Sequence, residues 1–209
     1  MVGRWAYDLM YRWRAPWDAV GVRPELRRLV EDGRITSDSH PRVVDLGCGT
    51  GANAVFLAAR GHEVTAVDFS PVALRKAATR AADAGVLDRC RFLEADLTAP
   101  DLPAILGGDP FDLVVDASTL DDLDAAGRRV LADHIAALAR PGAVLLFWCF
   151  YAAQDELPRI SFTGPSRLSP AIEPGEEETL FGEAFEIELL RPPVRHEACF
   201  LLRRRGRSR

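Results

Sequence analysis

Apolar and polar residues follow two different spacings along the chain from residue 42 onward. Short apolar runs predict strands, whereas apolar residues three or four apart over longer stretches predict helices. The predicted strands are Val43–Leu46, Glu63–Val67, Cys90–Glu94, Phe111–Val115 and Ala143–Phe150. The predicted helices are Asn53–Arg60, a helix that Ser70-Pro71 opens and Gly85 ends, and Ala125–Ala139. This alternation predicts an α/β fold with a parallel sheet and helices on both faces.

The two flanks of this core have different patterns. Arg23–Gly33 predicts a helix, because Pro24 suits a first turn and Leu26 and Leu29 share an apolar face. Near the other end, Phe185–Leu190 and Ala198–Leu202 predict two strands without an intervening helix, joined through Pro192 and Pro193, and therefore a closing hairpin. We expect one domain of four parts: an N-terminal cap (1–34), a core (42–150), a substrate-side insertion (151–184) and the hairpin (185–203).

Composition narrows the classes of partner. The chain has 209 residues, enough for one ordinary domain, and a formal net charge of −5 argues against a nucleic-acid partner. The longest apolar run, Ala143–Ala153, is too short to span a bilayer. The four cysteines form no Cys-x-x-Cys pair and no zinc-type cluster, so we expect no metal and a cytoplasmic protein with reduced thiols. A small-molecule substrate fits best, with a monomer and a homodimer both open.

A glycine-rich loop follows the first predicted strand, in the run from Val43 to Gly51. Dinucleotide sites use Gly-x-Gly-x-x-Gly, whereas this loop has Gly-x-Gly-x-Gly with Asp45 two residues before Gly47. A carboxylate there would repel a pyrophosphate and attract a cationic amino-acid group. S-adenosyl-L-methionine has an ammonium and a sulfonium and no phosphate. The loop therefore favours S-adenosyl-L-methionine over NAD.

Two further acids follow the next two predicted strands. Asp68 ends the second strand, where a carboxylate can accept both hydroxyls of a ribose. Asp96 follows the third strand and can accept a hydrogen bond from an adenine amino group, with Phe69 and Leu97 beside the ring. Three ligand-facing groups at the ends of successive strands indicate a nucleoside site.

With these motifs in order, residues 42–150 resemble the class I S-adenosylmethionine-dependent methyltransferases. The resemblance implies a Rossmann-like, doubly wound seven-stranded sheet, mostly parallel with an antiparallel C-terminal strand, and S-adenosyl-L-methionine as the cofactor. The segment Tyr11–Asp18 with Pro24-Glu25-Leu26 resembles the thiopurine S-methyltransferase-like and tellurite-resistance-like group, in which a Trp-containing N-terminal segment covers the cofactor. The predicted cofactor-binding residues are Asp45, Gly47, Gly49, Thr50, Gly51, Asn53, Asp68, Phe69, Ser70, Ala95, Asp96, Leu97, Asp116 and Trp17.

The loop after the fourth strand is the predicted place of chemistry. Asp116 is expected to line the methionine end of the site. Asp121 or Asp122 could act as a base for an oxygen or nitrogen acceptor, with Asp121 the preferred candidate, although both also suit the N-terminus of the next helix. The candidate substrate-binding residues are Trp13, Ser118, Phe150, Tyr151 and Arg167. The aromatic residues among them also suit core packing, and Arg167 also suits a solvated loop.

Three functions compete at this stage. The first is in-line methyl transfer to a sulfur, oxygen, nitrogen or halide nucleophile of a small molecule. The second is a cofactor-binding, non-catalytic or regulatory protein of the same fold, which the absence of an obvious base leaves open. The third is an NAD-dependent oxidoreductase, for which the sequence lacks a Tyr-x-x-x-Lys pair.

Overall fold

Seven strands form one sheet in the computed structural model, which describes residues 4–13, 15–153, 156, 171–194 and 196–206. The strands are β1 (Arg42–Leu46), β2 (Glu63–Asp68), β3 (Cys90–Glu94), β4 (Phe111–Ala117), β5 (Ala139–Phe150), β6 (Phe185–Val194) and β7 (Glu197–Arg204). Their order is β3-β2-β1-β4-β5-β7-β6. Neighbours from β3 to β5 are parallel, and β7 is antiparallel to both β5 and β6. The predicted fold class, with its antiparallel C-terminal strand, is confirmed.

Seven α-helices accompany the sheet within the described residues. They are α1 (Arg4–Trp13), α2 (Pro24–Glu31), α3 (Ala52–Ala58), α4 (Pro71–Asp83), α5 (Leu102–Ile105), α6 (Ala125–Leu138) and α7 (Glu176–Phe181). Ser70 caps α4 by accepting a hydrogen bond from the Ala73 N–H at 3.2 Å. Asp124 caps α6 through the Gly127 N–H at 2.9 Å. No described helix has the length and apolar character needed to cross a membrane.

The two faces of the sheet bury separate apolar cores. Successive strand side chains point to opposite faces, so Val43 and Val44 fall in different cores. Val44 packs in the core that holds Leu131 of α6. Val43 packs in the core that holds Leu26 of α2 and residues of α3. Burial on both faces explains the continuous apolar strands of the sequence.

The hairpin differs from its prediction at the prolines. The structure continues β6 through Pro192 and Pro193 to Val194, where the sequence predicts a link. Proline lacks an N–H, and an edge strand tolerates that loss because one side of the strand has no partner. β6 is the last strand in the sheet order, and its pairing with β7 shifts register between Leu189 and Val194.

Candidate active site

One cavity of about 1350 Å³ runs along the carboxyl edge of the parallel strands. That volume exceeds the roughly 300–1,000 Å³ of a typical small-molecule pocket, so the cavity has room for two ligands. It lies where open α/β sheets bind ligands, beyond the carboxyl ends of the strands. From one end to the other its sheet-side lining includes Ala95–Leu97, Asp68 and Phe69, Gly47–Thr50, Ala117–Thr119, Trp148, Phe150 and Glu197.

The glycine loop lies tightly between its neighbours. Gly47 and Gly49 have φ angles of 67° and 53°, which favour glycine. A Cβ atom on Gly47 would lie 1.9 Å from the Thr119 Oγ1 atom, and one on Gly49 would lie 3.0 Å from the Tyr11 hydroxyl oxygen. Only glycine at these positions lets the main chain form this part of the cavity wall. Thr50 and Asn53 also line the cavity.

Asp68 fixes the loop and faces the cavity. Its Oδ2 atom accepts the Gly49 N–H and its Oδ1 atom accepts the Ser70 N–H, both at 2.8 Å. Burial raises the pKa of this carboxyl, and the backbone hydrogen bonds oppose that rise. Each carboxylate oxygen can accept more than one hydrogen bond. The predicted ribose contact therefore fits this geometry and stays a prediction.

The far end of the cavity suits a planar base. Asp96 lies there, and its Oδ1 atom accepts the Thr98 N–H at 2.8 Å and the Thr98 hydroxyl at 2.7 Å. Ala95, Leu97 and Phe69 add apolar lining. The Phe69 ring meets the Tyr7 ring edge-on at 5.3 Å. The predicted adenine contacts stay predictions that the lining supports.

Asp45 does not line the cavity, so its predicted contact with the cofactor stays a prediction that the lining does not support. It lies inside β1, on the α3 side of the sheet, and is 1% exposed. Desolvation by burial, then the nearby Asp116 and Asp68 carboxylates, raise its pKa to about 8, while a backbone hydrogen bond from Ala54 lowers it. Because burial raises this pKa, the negative charge that the sequence predicts for Asp45 is disfavoured in the folded protein.

Three other predicted cofactor residues are also absent from the lining. Gly51 faces α4, where an added Cβ would lie 2.8 Å from the Ala77 side chain. Ser70 is fully buried as the cap of α4. Asp116 is fully buried, accepts the Thr119 N–H at 3.0 Å, and has a pKa that burial raises to about 7. Their roles are to hold the loops that form the cavity.

The neighbouring acids Asp121 and Asp122 differ in whether they face the cavity. Asp121 is 2% exposed and does not line the cavity; its Oδ2 atom accepts the Ser118 hydroxyl and the Phe150 N–H, both at 3.0 Å. Asp122 does line the cavity and accepts the Tyr7 hydroxyl at 2.6 Å. Since Asp124 caps α6, neither acid is the cap. A 3-10 turn over Leu120–Asp122 turns Asp121 inward, so its role as the base stays a prediction that this geometry does not favour.

Of the predicted substrate residues that the structure describes, two line the cavity and two do not. Ser118, with a φ of 70°, and Phe150, which is 37% exposed, both line the cavity. Tyr151 does not: its ring packs 5.3 Å from Phe200 and its hydroxyl donates to Glu177 at 3.0 Å. Trp13 is 84% exposed outside the cavity, which corrects its predicted contact with substrate. Arg167 lies outside the described residues.

The N-terminal segment contributes more residues than the sequence suggests. Trp17 lines the cavity as predicted, and its Nε1–H donates to the Tyr11 hydroxyl at 3.2 Å. Tyr7, Tyr11 and Arg23 also line the cavity without having been predicted. The spacing of the two tyrosines, four residues apart in a helix, places them on one face and is the signal that could have found them.

Comparison with known proteins agrees with this geometry. Residues 43–142 match the family model described as a methyltransferase domain. A 2-heptyl-1-hydroxyquinolin-4(1H)-one methyltransferase of Mycobacteroides abscessus is 33% identical over 138 residues, which are 64% of this chain and 56% of that protein. A glycine N-methyltransferase of Rattus norvegicus is 33% identical over 119 residues, 50% of this chain and 39% of that protein. The chain thus spans little more than half of these curated relatives at most.

Solved structures resemble the chain over nearly its whole length. A structure from work on the conversion of a disulfide bond into a thioacetal group during echinomycin biosynthesis has a TM-score of 0.72 and 25% identity, covering 99% of this chain and 94% of its own. The N-methyltransferase NodS from Bradyrhizobium japonicum, in complex with S-adenosyl-L-homocysteine, has a TM-score of 0.70, 20% identity and 98% coverage of both chains, and shares the fold. Residues 43–142 thus match a methyltransferase domain, and the chain shares its fold with solved methyltransferases over nearly its whole length.

Proposed function

We propose that the protein methylates a small aromatic acceptor at oxygen or nitrogen, with S-adenosyl-L-methionine as the methyl donor. One observation carries the proposal: a single cavity joins the glycine loop, Asp68 and Asp96 to the Tyr7–Asp122 pair. When bound, the cofactor supplies an electrophilic methyl group. Gly47–Thr50, Asp68 and Asp96 would hold it, since the tight glycine loop and the acceptor oxygens of the two acids fit a nucleoside.

The acceptor half of the cavity supports an aromatic compound. Its walls include the rings of Tyr7, Trp17, Trp148 and Phe150. Aromatic side chains pack favourably against planar ligands. The relative from Mycobacteroides abscessus is named for its action on a hydroxyquinolinone, which is such a compound. Closure of the cavity by the N-terminal segment would also exclude water from the reacting groups.

Asp122 is the group that would accept a proton from the nucleophile. It faces the cavity, and burial raises its pKa, whereas the Tyr7 hydrogen bond and the Arg128 charge lower it. A carboxylate with a raised pKa is a better base near neutral pH. Tyr7 would position the carboxylate through its 2.6 Å hydrogen bond. The acceptor's oxygen or nitrogen would gain the methyl group as the methyl–sulfur bond breaks, and its proton would pass to Asp122, with release of S-adenosyl-L-homocysteine.

The test uses 1-hydroxyquinolin-4(1H)-one and a labelled methyl donor with the wild-type protein and Asp122→Asn. We expect methylation by the wild type, with a rate that rises with pH through the raised pKa of Asp122. General-base catalysis contributes about 10²–10⁴-fold, so Asp122→Asn should lose about that factor in kcat and lose the acid limb of the profile. Asp83→Asn, at an exposed position on α4, is the control.

Two results would contradict the proposal. No binding of S-adenosyl-L-homocysteine would remove the donor site. Good binding of S-adenosyl-L-homocysteine, with no methylation of hydroxyquinolinones, phenols or amines, would favour the non-catalytic alternative.

The remaining expectations about this protein are part of the same proposal. They are the narrower likeness to the thiopurine S-methyltransferase-like and tellurite-resistance-like group, a cytoplasmic location, no nucleic-acid partner, and a monomer or homodimer. Sedimentation of the purified protein distinguishes a monomer from a homodimer.

A further inference from the structure

Arg23 presents a guanidinium at the acceptor end of the cavity. The residue precedes α2, and its main-chain N–H donates to the Asn53 Oδ1 atom at 3.1 Å, which fixes the start of its side chain. Its Cζ atom lies 3.7 Å from the centre of the Trp148 ring. Stacking on an aromatic face holds a guanidinium in plane and leaves its N–H groups free around the rim.

Those N–H groups have no protein acceptor among the described residues. The Arg23 side chain makes no hydrogen bond or ion pair to any residue in the described ranges, and it lines the cavity. The nearest acids are engaged elsewhere. Glu197 pairs with Arg191 at 3.2 Å, Glu25 pairs with the same arginine at 3.2 Å, and Asp121 accepts the Phe150 N–H. A guanidinium that lines a cavity and has N–H groups without a protein acceptor is suited to bind an anionic ligand.

The sheet order places Arg23 away from the nucleoside end. Asp96 follows β3 and lies at one end of the cavity, and Trp148 belongs to β5, four strands along the sheet. Phe150, whose ring lies 5.6 Å from Trp148, and Glu197 line the same end. The residues proposed to bind the methyl donor lie at the carboxyl ends of β1 to β3. The Arg23 end is therefore the part of the cavity left for the methyl acceptor.

We infer that Arg23 is a specificity residue that selects acceptors with a carboxylate or other oxyanion on the aromatic ring. This inference rests on the proposed function. The planar fork of a guanidinium matches a carboxylate through two parallel N–H···O bonds, which an uncharged amide cannot reproduce. Arg23 would orient the ring so that its nucleophile meets Asp122 and the methyl group.

Calorimetric binding to protein saturated with S-adenosyl-L-homocysteine tests the inference with two probes. They are 4-hydroxyquinoline-2-carboxylate and its uncharged 2-carboxamide, which has nearly the same shape. We expect the wild type to bind the carboxylate at least tenfold more tightly than the carboxamide. Arg23→Gln should bring this ratio to about one and leave carboxamide affinity within about twofold. Arg23→Lys should keep part of the preference, because it retains the charge and loses the fork.

Arg27→Gln is the matched control, since Arg27 is an exposed arginine of α2 outside the cavity and should leave the ratio unchanged. The melting temperature and S-adenosyl-L-homocysteine affinity of each variant report on folding. Wild-type protein that binds S-adenosyl-L-homocysteine but neither probe, or both probes equally, overturns the role of Arg23 and leaves the proposed function standing. A ratio of carboxylate to carboxamide affinity that stays at the wild-type value in Arg23→Gln likewise overturns the role of Arg23. Failure to bind S-adenosyl-L-homocysteine instead overturns the proposed function, and the inference with it.

Discussion

Aspartates divide at the scale of single residues into those that face the cavity and those that are sealed beneath it. Asp68, Asp96 and Asp122 line the cavity, whereas Asp45, Asp116 and Asp121 do not. The first group offers lone pairs to a ligand. The second holds loops in place while desolvation raises the pKa of each of its members.

Replacement of Asp68 should weaken donor binding. Asp68→Ala removes the acceptor of the Gly49 and Ser70 N–H groups, so the loop loses two hydrogen bonds to a charged group. Such bonds contribute about 1.5–3 kcal/mol each, and tenfold in affinity needs about 1.4 kcal/mol. We expect the Kd of S-adenosyl-L-homocysteine, measured by calorimetry, to rise at least tenfold. Asp83→Ala is the exposed control, and an unchanged Kd in Asp68→Ala would contradict the expectation.

Asp45 should make folding stability depend on pH. Its pKa is about 8 in the folded protein and near 3.9 in an unfolded chain, so the folded state binds the extra proton between these values. The free energy of unfolding must then fall as pH rises from about 4 to 8. Asp45→Asn cannot titrate, and it keeps the contributions of His40 and His62, whose pKa values burial lowers.

Urea denaturation of both proteins at pH 6 and pH 8 measures the effect. The stability of Asp45→Asn relative to the wild type should rise between the two pH values. A difference that stays constant with pH would show that Asp45 does not titrate in this range.

Positions of the acids at strand ends were predictable, but their directions were not. Asp68 and Asp96 follow apolar runs, and the end of a run predicts a place at the carboxyl edge. Asp45 is still inside its strand, where alternation of side chains decides which face it meets. Asp121 and Asp122 are adjacent in the sequence, and only the turn over Leu120–Asp122 decides which of them faces the cavity.

At the scale of elements, a buried ion pair connects α6 to α7. The Arg128 Nη1 atom donates to both Glu176 oxygens, at 2.9 and 2.7 Å. Its Nε and Nη2 atoms donate to the carbonyls of Leu123 and Asp121. One side chain thus holds the loop that contains Asp122 and anchors α7 against it.

Loss of this side chain should be costly. Arg128→Met leaves the Glu176 carboxylate mostly buried without its partner, a change that typically destabilises by about 3–5 kcal/mol. We expect that decrease in the free energy of unfolding, measured with urea. Arg129→Met, at the next and exposed position, should change it by less than about 0.5 kcal/mol. Equal effects of the two substitutions would refute a special role for Arg128.

Helix α1 should control how fast the donor leaves. The Tyr7 hydroxyl donates to Asp122 and the Ser70 hydroxyl donates to Asp8, so two side-chain pairs fasten the helix over the cavity, beside the Lys76 ammonium that donates to the Tyr11 carbonyl. Tyr7→Phe combined with Asp8→Ala removes both. We expect dissociation of S-adenosyl-L-homocysteine to become several-fold faster in stopped-flow measurements of tryptophan fluorescence.

Leu9→Ala on the outward face of α1 is the control for this pair, because Leu9 is half exposed and lies away from the cavity. A dissociation rate equal to that of the wild type in the double variant would mean that α1 does not gate the site.

At the scale of the whole molecule, the sequence predicted the sheet well and the acceptor side poorly. Strand and helix periods specify βαβ units, and their handedness and parallel pairing follow from general rules. The acceptor side instead combines Tyr7 from α1, Arg23 before α2, Phe150 at the end of β5 and Glu197 at the start of β7. No local pattern links residues so far apart, since only the completed fold brings them together.

The reversed direction of β7 has a consequence for how the protein can change over evolution. Because β7 runs against β5, Glu197 at the start of β7 pairs with Phe150 at the end of β5, and both line the cavity. The neighbouring His196 carbonyl accepts the Tyr151 N–H at 2.7 Å. A substitution at Glu197 therefore alters the acceptor side of the cavity and leaves the lining at Gly47–Thr50, Asp68 and Asp96 in place.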